Sequence, residues 1–164
     1  MARKKQPQNL WSKIIYLFVM LAGFICANCY LSDLITNNIR HGFNFPPNDF
    51  ITLNYVKNTG AAFSILQNYP LLLEILAVLA LVFLLAYVIR HAGTMSYTGI
   101  TWLCVLMSGI FCNLFERMTL GYVRDYFYFK FVEFPIFNFS DIAINVSIVA
   151  IIYLLLTRAQ LKQL

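Results

Sequence analysis

Four stretches of the chain lack the polar positions that a water-facing element must present. They run from about Ile14 to Ser32, Leu71 to Ile89, Thr94 to Phe115 and Phe137 to Leu156. Each is close to the ~20 residues that a helix, rising ~1.5 Å per residue, needs to cross a hydrocarbon layer. The pattern predicts four transmembrane helices. The first is interrupted only by Asn28, and the second carries Glu74 in its first turn. The third contains Gly99, Ser108 and Gly109, small residues that let a neighbouring helix come close. The first half of the fourth is polar on one side.

The connecting segments differ in length and character. Between spans one and two, Pro46-Pro47 and Asn48-Asp49 mark turns. Ile51, Leu53 and Tyr55 then alternate with Thr52, Asn54 and Val56, a period of two that predicts a short strand. Between spans three and four, nine of the eighteen residues from Tyr122 to Phe139 are Phe or Tyr. Rings of this kind settle at the membrane–water boundary, which predicts an aromatic interfacial segment. No internal repeat or low-complexity linker divides the 164 residues, so a single membrane-embedded domain is expected.

Composition narrows the class further. Apolar residues make up 60% and charged residues 12%, against roughly 45–50% and about 25% in soluble domains. So small a soluble fold has no way to hide that much apolar surface. The net charge is +5, and its placement gives orientation. Arg3, Lys4, Lys5, Lys13, Arg90, Arg158 and Lys162 fall on the side of the two chain ends and the Arg90–Thr94 turn, without one acidic residue. All seven acids lie on the other side or its adjoining membrane turns. The positive-inside rule then places both termini in the cytoplasm. Basic residues separated by apolar spans argue against a nucleic-acid partner. The first span has the basic start of a signal peptide but no small-x-small cleavage site, and Phe24 stands where a lipobox would have Cys, so an uncleaved helix is expected.

Several chemistries compete for the polar residues that remain. Cys26 and Cys29 share a helix face, but His41 and His91 fall on opposite sides of the membrane, so a complete metal site is not expected. No cofactor motif is present. A Ser-Lys hydrolase would need Lys57 or Lys130 with Ser64, and neither lysine lies in a span that would desolvate it. The carboxylates say more. Asp141 lies about one turn into the fourth span, with Asn138 and Asn145 on its helix face, and Asp125 stands just before it. An ionisable residue in a span is a functional hypothesis by default. Two carboxylates sharing one proton can activate water and donate to a leaving group. A helix cap and a surface aspartate explain the same residues structurally. Asn113, Glu116 and Arg117 form a second cluster in which the acid and base are expected to neutralise each other. Asp33 ends the first span at the same depth.

These residues fall in recognisable motifs. Asn58-Thr59-Gly60-Ala61-Ala62-Phe63 resembles the Asn-x-Gly-Ala-Ala-Phe motif of lipoprotein signal peptidase (signal peptidase II), a bacterial membrane aspartic peptidase. Asn113-Leu114-Phe115-Glu116-Arg117 resembles its Asn-x-x-Asp-Arg motif, Gly121-Tyr122-Val123-Arg124-Asp125 its Gly-Tyr-Val-x-Asp motif, and Phe137-Asn138-Phe139-Ser140-Asp141 its Phe-Asn-x-Ala-Asp motif. The resemblance runs over nearly the whole chain. It implies a catalytic pair, Asp125 and Asp141, supported by Asn58, Gly60, Asn113, Arg117 and Asn138, with Asp33 and Glu116 beside them. It also implies a prolipoprotein substrate whose lipobox cysteine carries a diacylglyceryl group, contact with membrane lipid, an active site facing outward from the bacterial cytoplasmic (inner) membrane, and inhibition by globomycin-like cyclic peptides. The chain departs from the family pattern at Asn37, where a lysine is usual, and at Cys112, Glu116, Tyr128 and Ser140. These departures motivate a competing reading, a catalytically impaired relative that binds lipidated precursors or another membrane partner. A channel would need polar residues through the full membrane depth, and here they gather at one end.

Overall fold

A computed structural model describes residues 10–40, 42, 44–60 and 69–161. Its elements in chain order are α1 (Leu10–Arg40), β1 (Ile51–Asn58), α2 (Pro70–His91), α3 (Tyr97–Leu120), β2 (Val123–Phe129) and α4 (Phe139–Leu161). The four predicted helices are therefore present, and among the described residues all four are long and apolar enough to cross a membrane.

α1 continues past Ser32, where the apolar run ends, to Arg40. Its extra turns stay helical because they pack rather than because they are apolar. Thr36 is buried and returns its hydroxyl to the Ser32 carbonyl at 2.8 Å, while Ile35 and Ile39 lie against the aromatic core under the sheet. Pro70 opens α2, where its missing N–H is no loss. Ser96 caps α3 by accepting from the Gly99 N–H at 3.1 Å. Gly121 ends α3 at φ 80°, and its N–H returns to the Arg117 carbonyl at 2.9 Å. Only glycine adopts that left-handed turn without strain.

α3 is the centre of the bundle. Nearly half of its most apolar stretch is buried (44%), against 6% for α2 and 11% each for α1 and α4. The outer helices instead expose Leu72, Ile75, Leu79, Phe83, Val149 and Ile152. Helices that turn large apolar side chains outward are built for lipid. Gly109 brings α3 onto α4: a Cβ placed there would lie 2.6 Å from the Ser140 carbonyl and 2.8 Å from Ile144. Gly99 serves the cap of its own helix. α1 meets α3 through Cys29 and Cys112, whose sulfurs are 3.0 Å apart; all four cysteines are free thiols, and Cys26 is exposed.

At one end Lys13 ties α1 to the α2–α3 turn, donating to the Met95 and Gly93 carbonyls at 2.6 and 3.3 Å. The start of α1 and that turn thus share an end, as the charge pattern predicts. At the other end sits the sheet. β1 is the predicted strand. Its partner corrects the sequence reading: β2 occupies the segment expected only to lie at the interface. The two strands are antiparallel, Ile51 opposite Phe129 and Asn58 opposite Val123, with a bulge between Leu53 and Val56. Tyr126 and Phe127 are buried with Leu53, and Phe137 and Phe139 pack against them. Four of the nine rings therefore belong to the core rather than the boundary. An aromatic-rich run is compatible with either role, and only a partner strand decides between them.

Candidate active site

α4 begins with a reciprocal cap. Asn138 precedes the first helical residue, and its Oδ1 accepts from the Asp141 N–H at 3.0 Å. In return Asp141 Oδ2 accepts from the Asn138 N–H, also at 3.0 Å. This is a capping box, two orphan donors satisfied by one pair of side chains. The structural reading of Asp141 as a capping residue is thus met, but it occupies one oxygen only. Oδ1 accepts instead from Asn113 Nδ2 on α3, at 2.9 Å.

β2 delivers the second carboxylate. Alternation along the strand sends Val123 and Asp125 to a cavity and Arg124 to the opposite face. Asp125 is 2% exposed. Its Oδ2 accepts from Asn58 Nδ2 on β1, and its Oδ1 from Asn138 Nδ2, both at 2.8 Å. The Asn138 amide also donates to Asn113 Oδ1 at 3.2 Å. Four elements therefore converge on one network, with Asn138 joining the two carboxylates and Asn113 closing the loop. Asparagine suits this role because it donates and accepts from one planar group.

The cavity has a volume of about 310 Å³. Asn58, Asn113, Arg117, Asp125, Asp141 and Asn145 form its polar wall; Leu73, Ala77, Ile110, Ile144 and the Phe134–Phe137 segment form the apolar one. Few polar groups converging within a mostly apolar pocket mark a binding site. Arg117 donates to the Gly60 carbonyl at 2.8 Å and to the Asn113 carbonyl at 3.3 Å. Gly60 is buried, and its own N–H reaches Asn58 Oδ1 at 2.9 Å. Arg117 so fixes the end of β1 and brings positive charge to the carboxylates.

That charge does not neutralise them fully. Burial pushes the Asp125 carboxyl up to about 7, and the neighbouring charge of Asp141 pushes the same way. The bonds from Asn58 and Asn138 and the charge of Arg117 pull it down without prevailing. The site thus favours a protonated carboxyl more than water does. The arrangement holds two carboxyl groups and an apolar wall in a common space.

The structure brings Asn58, Asn113, Arg117, Asp125, Asn138 and Asp141 to this cavity and places Gly60 just behind it. Asp33 and Glu116 do not line it. They lie behind β2, where Arg124 NH2 meets Glu116 Oε1 at 2.6 Å and NH1 meets Asp33 Oδ1 at 2.7 Å. The expected Glu116–Arg117 pairing is therefore wrong. Adjacent helical residues point about 100° apart, so one turns to the strand and the other to the cavity. Arg124 was missed: it occupies the variable position of its motif, and only the strand period shows that it faces away from Asp125. The hydrolase alternative loses its bases, since Lys130 is exposed and donates to the Asn48 carbonyl at 2.7 Å, and Lys57 sits over the Tyr122 ring. Ser64, His41 and Ala61 to Phe63 lie outside the described residues. No cluster of three or more potential metal ligands occurs among the described residues.

Comparison with known proteins gives the fold and the family. Two solved structures of bacterial membrane enzymes, determined by the in meso method at 2.3 and 1.9 Å, share the fold with TM-scores of 0.74 and 0.71. They are 22% and 23% identical and cover 87% and 85% of this chain, which covers 88% and 92% of theirs. A lipoprotein signal peptidase of Dehalococcoides mccartyi is 33% identical over 85% of this chain and 88% of its own length. One from Fusobacterium nucleatum is 29% identical over 93% and 92%. One from Streptococcus agalactiae is 35% identical over 65% and 68%. The family model for signal peptidase (SPase) II matches residues 17–157, and the chain belongs to that family.

Proposed function

We propose that Asp125 and Asp141 are the catalytic pair of this membrane aspartic signal peptidase, and that they cleave prolipoproteins before a lipobox cysteine carrying a diacylglyceryl group. The observation that carries the assignment is the asparagine bridge. Asn138 and Asn113 hold carboxylates from two different elements on one cavity, where burial raises the proton affinity of Asp125. One ionised carboxylate takes a proton from water as it attacks the scissile carbonyl. The protonated partner donates first to the developing oxyanion and then, as the carbon–nitrogen bond breaks, the pair returns a proton to the leaving amine. The pair titrates as a unit, so the shared proton belongs to both.

The surroundings support the substrate. The apolar wall admits a hydrophobic signal segment, and exposed apolar faces of α2 and α4 let acyl chains remain in lipid. With both termini cytoplasmic, as the positive-inside pattern indicates, the site faces outward from the bacterial cytoplasmic membrane. Globomycin-like cyclic peptides would compete for the same cavity. The competing reading, a binding relative without turnover, gains nothing from the departures. Glu116 and Cys112 pack behind the site, Ser140 donates to Asn28, and Asn37 and Tyr128 are exposed and do not line the cavity, so none replaces a cavity carboxylate. The test is cleavage in liposomes of a diacylglyceryl-modified prolipoprotein beside its unmodified form. Wild type is expected to cleave the modified form, and Asp125→Asn and Asp141→Asn, each verified as folded, to cleave neither. Cleavage by both variants would overturn the assignment.

A further inference from the structure

Behind the catalytic strand lies a charge cluster that the reaction as described does not use. Arg124 sends Nε and NH2 to Glu116 Oε1 at 2.9 and 2.6 Å, a forked contact on one carboxylate oxygen. The other oxygen, Oε2, accepts the backbone N–H of the same residue at 2.7 Å. NH1 reaches Asp33 Oδ1 at 2.7 Å and the Thr36 hydroxyl at 3.2 Å. Ser32 completes the set by donating to Glu116 Oε1 at 3.2 Å. One guanidinium therefore joins β2 to α1 and α3, and Glu116 grips that residue by main chain and side chain together. The arginine and glutamate side chains are only 15% and 10% exposed, so their contact is little screened, while Asp33 is 60% exposed and contributes less.

The next residue in the chain is Asp125, which points the other way. β1 pairs with it through Val56 and bonds its carboxylate from Asn58, but the ladder is broken on one side of that pair by the register shift between Leu53 and Val56. We propose that Arg124 is a positioning residue for the reaction: by fixing the rear face of β2 to α1 and α3, it sets the distance at which Asp125 meets Asp141. Arginine is required over lysine because the fork, not the charge alone, engages three partners in different directions. The inference rests on the reading of Asp125 as a catalytic carboxylate.

The experiment compares Arg124→Gln, Arg124→Lys and the double variant Arg124→Gln/Glu116→Gln with wild type, Asp125→Asn and the exposed-end control Arg90→Gln. Each is assayed for kcat and KM on a diacylglyceryl-modified prolipoprotein, for thermal midpoint, and for amide exchange at Val123 to Phe129. Arg124→Gln is expected to lower kcat about 10- to 100-fold with KM within about threefold, since small misplacement of a reacting group has effects of that size. Arg124→Lys should fall between it and wild type. The double variant removes the buried, unpaired glutamate charge, so its thermal midpoint should recover while kcat stays low. Faster exchange over the strand should accompany both glutamine variants. Recovery of kcat together with stability would show a merely structural role and overturn the inference. So would a folded Arg124→Gln with wild-type kcat beside an inactive Asp125→Asn. Failure of wild type to cleave would sink the peptidase reading instead, and unchanged exchange in Arg124→Gln would then still overturn the clamp.

Discussion

Lys13 and Asp125 are both buried charged residues, 1% and 2% exposed, at opposite ends of the same bundle. Among the described residues Lys13 meets what a cation wants: two carbonyls of the α2–α3 turn, just past the C-terminus of α2, and the face of Tyr97 at 5.8 Å. Asp125 meets two amide donors but also a second carboxylate across the cavity, and burial first, then that neighbouring charge, raises its affinity for a proton. One burial is resolved and the other is left poised. A fold keeps the second kind only where the poise is used, which is why perturbed carboxylates point to chemistry while buried ammonium groups so often point to assembly.

The largest expected effect is loss of the poised pair. Asp125→Asn or Asp141→Asn should lower cleavage by about 100- to 10,000-fold, the range that a general acid or base contributes. A second readout sharpens the contrast. The folded carboxyl of Asp125 binds its proton more tightly than the unfolded one, so its contribution to stability is full below about pH 3.8 and is lost as pH rises through about 7. The thermal midpoint of Asp125→Asn, followed from pH 4 to 8, should lack that part of the decline. An equal decline in wild type and variant would show that the proton affinity of Asp125 is not raised.

Asn138→Ala comes next. It removes the donor shared by Asp125 and Asn113 and the acceptor that caps Asp141. A fall in kcat of about 100-fold is expected from the lost alignment. The lost cap should also destabilise by about 1 kcal/mol, read as a lower thermal midpoint. A variant that lost stability but kept its rate would make Asn138 a cap and nothing more.

Gly109→Ala probes the same end through packing. The added methyl would meet the Ser140 carbonyl and Ile144, so the first turn of α4 must move away from α3, carrying Asp141 with it. Overpacking of this kind costs about 1–3 kcal/mol, and a fall in kcat of about tenfold should follow from the displaced carboxylate. Asn58→Ala is milder still. It deletes one bond that pulls Asp125 down, so the alkaline limb of kcat/KM, near pH 7 in wild type, should move to higher pH by up to about one unit. Movement to lower pH would contradict the assigned direction.

How far these residues were legible in sequence follows from the same physics. Spans were readable because lipid demands an unbroken apolar length, and Asp125, Asp141 and the asparagines because polar side chains at that depth are rare and fall in motifs. Glu116 was read with Arg117, its neighbour in sequence, whereas the fold gives it Arg124 across a chain reversal at Gly121. β2 was unreadable for a related reason: a strand is defined by its partner, and β1 lies far away in sequence. Asp33 was grouped with the polar residues of one end, where it does lie, but behind β2 against Arg124 and away from the cavity. Sequence thus showed which polar groups gather at one end, and only pairing and register show which of them face each other.

Lys13 supplies the smallest catalytic effect and the cleanest control. Lys13→Met keeps the length of the side chain and removes its donors, leaving the Gly93 and Met95 carbonyls without them. Gly93 is exposed and Met95 half-buried, so water replaces part of what is lost, and the thermal midpoint should fall by the worth of an ordinary hydrogen bond, about 0.5–1.5 kcal/mol. The turn lies at the end of the bundle away from the cavity, and no described contact of Lys13 reaches β2 or the start of α4. The kcat and the pH profile of the folded variant should therefore match wild type. A shifted alkaline limb in Lys13→Met would mean that the two ends are coupled along α1 or α3, and that the resolved charge helps to set the poised one.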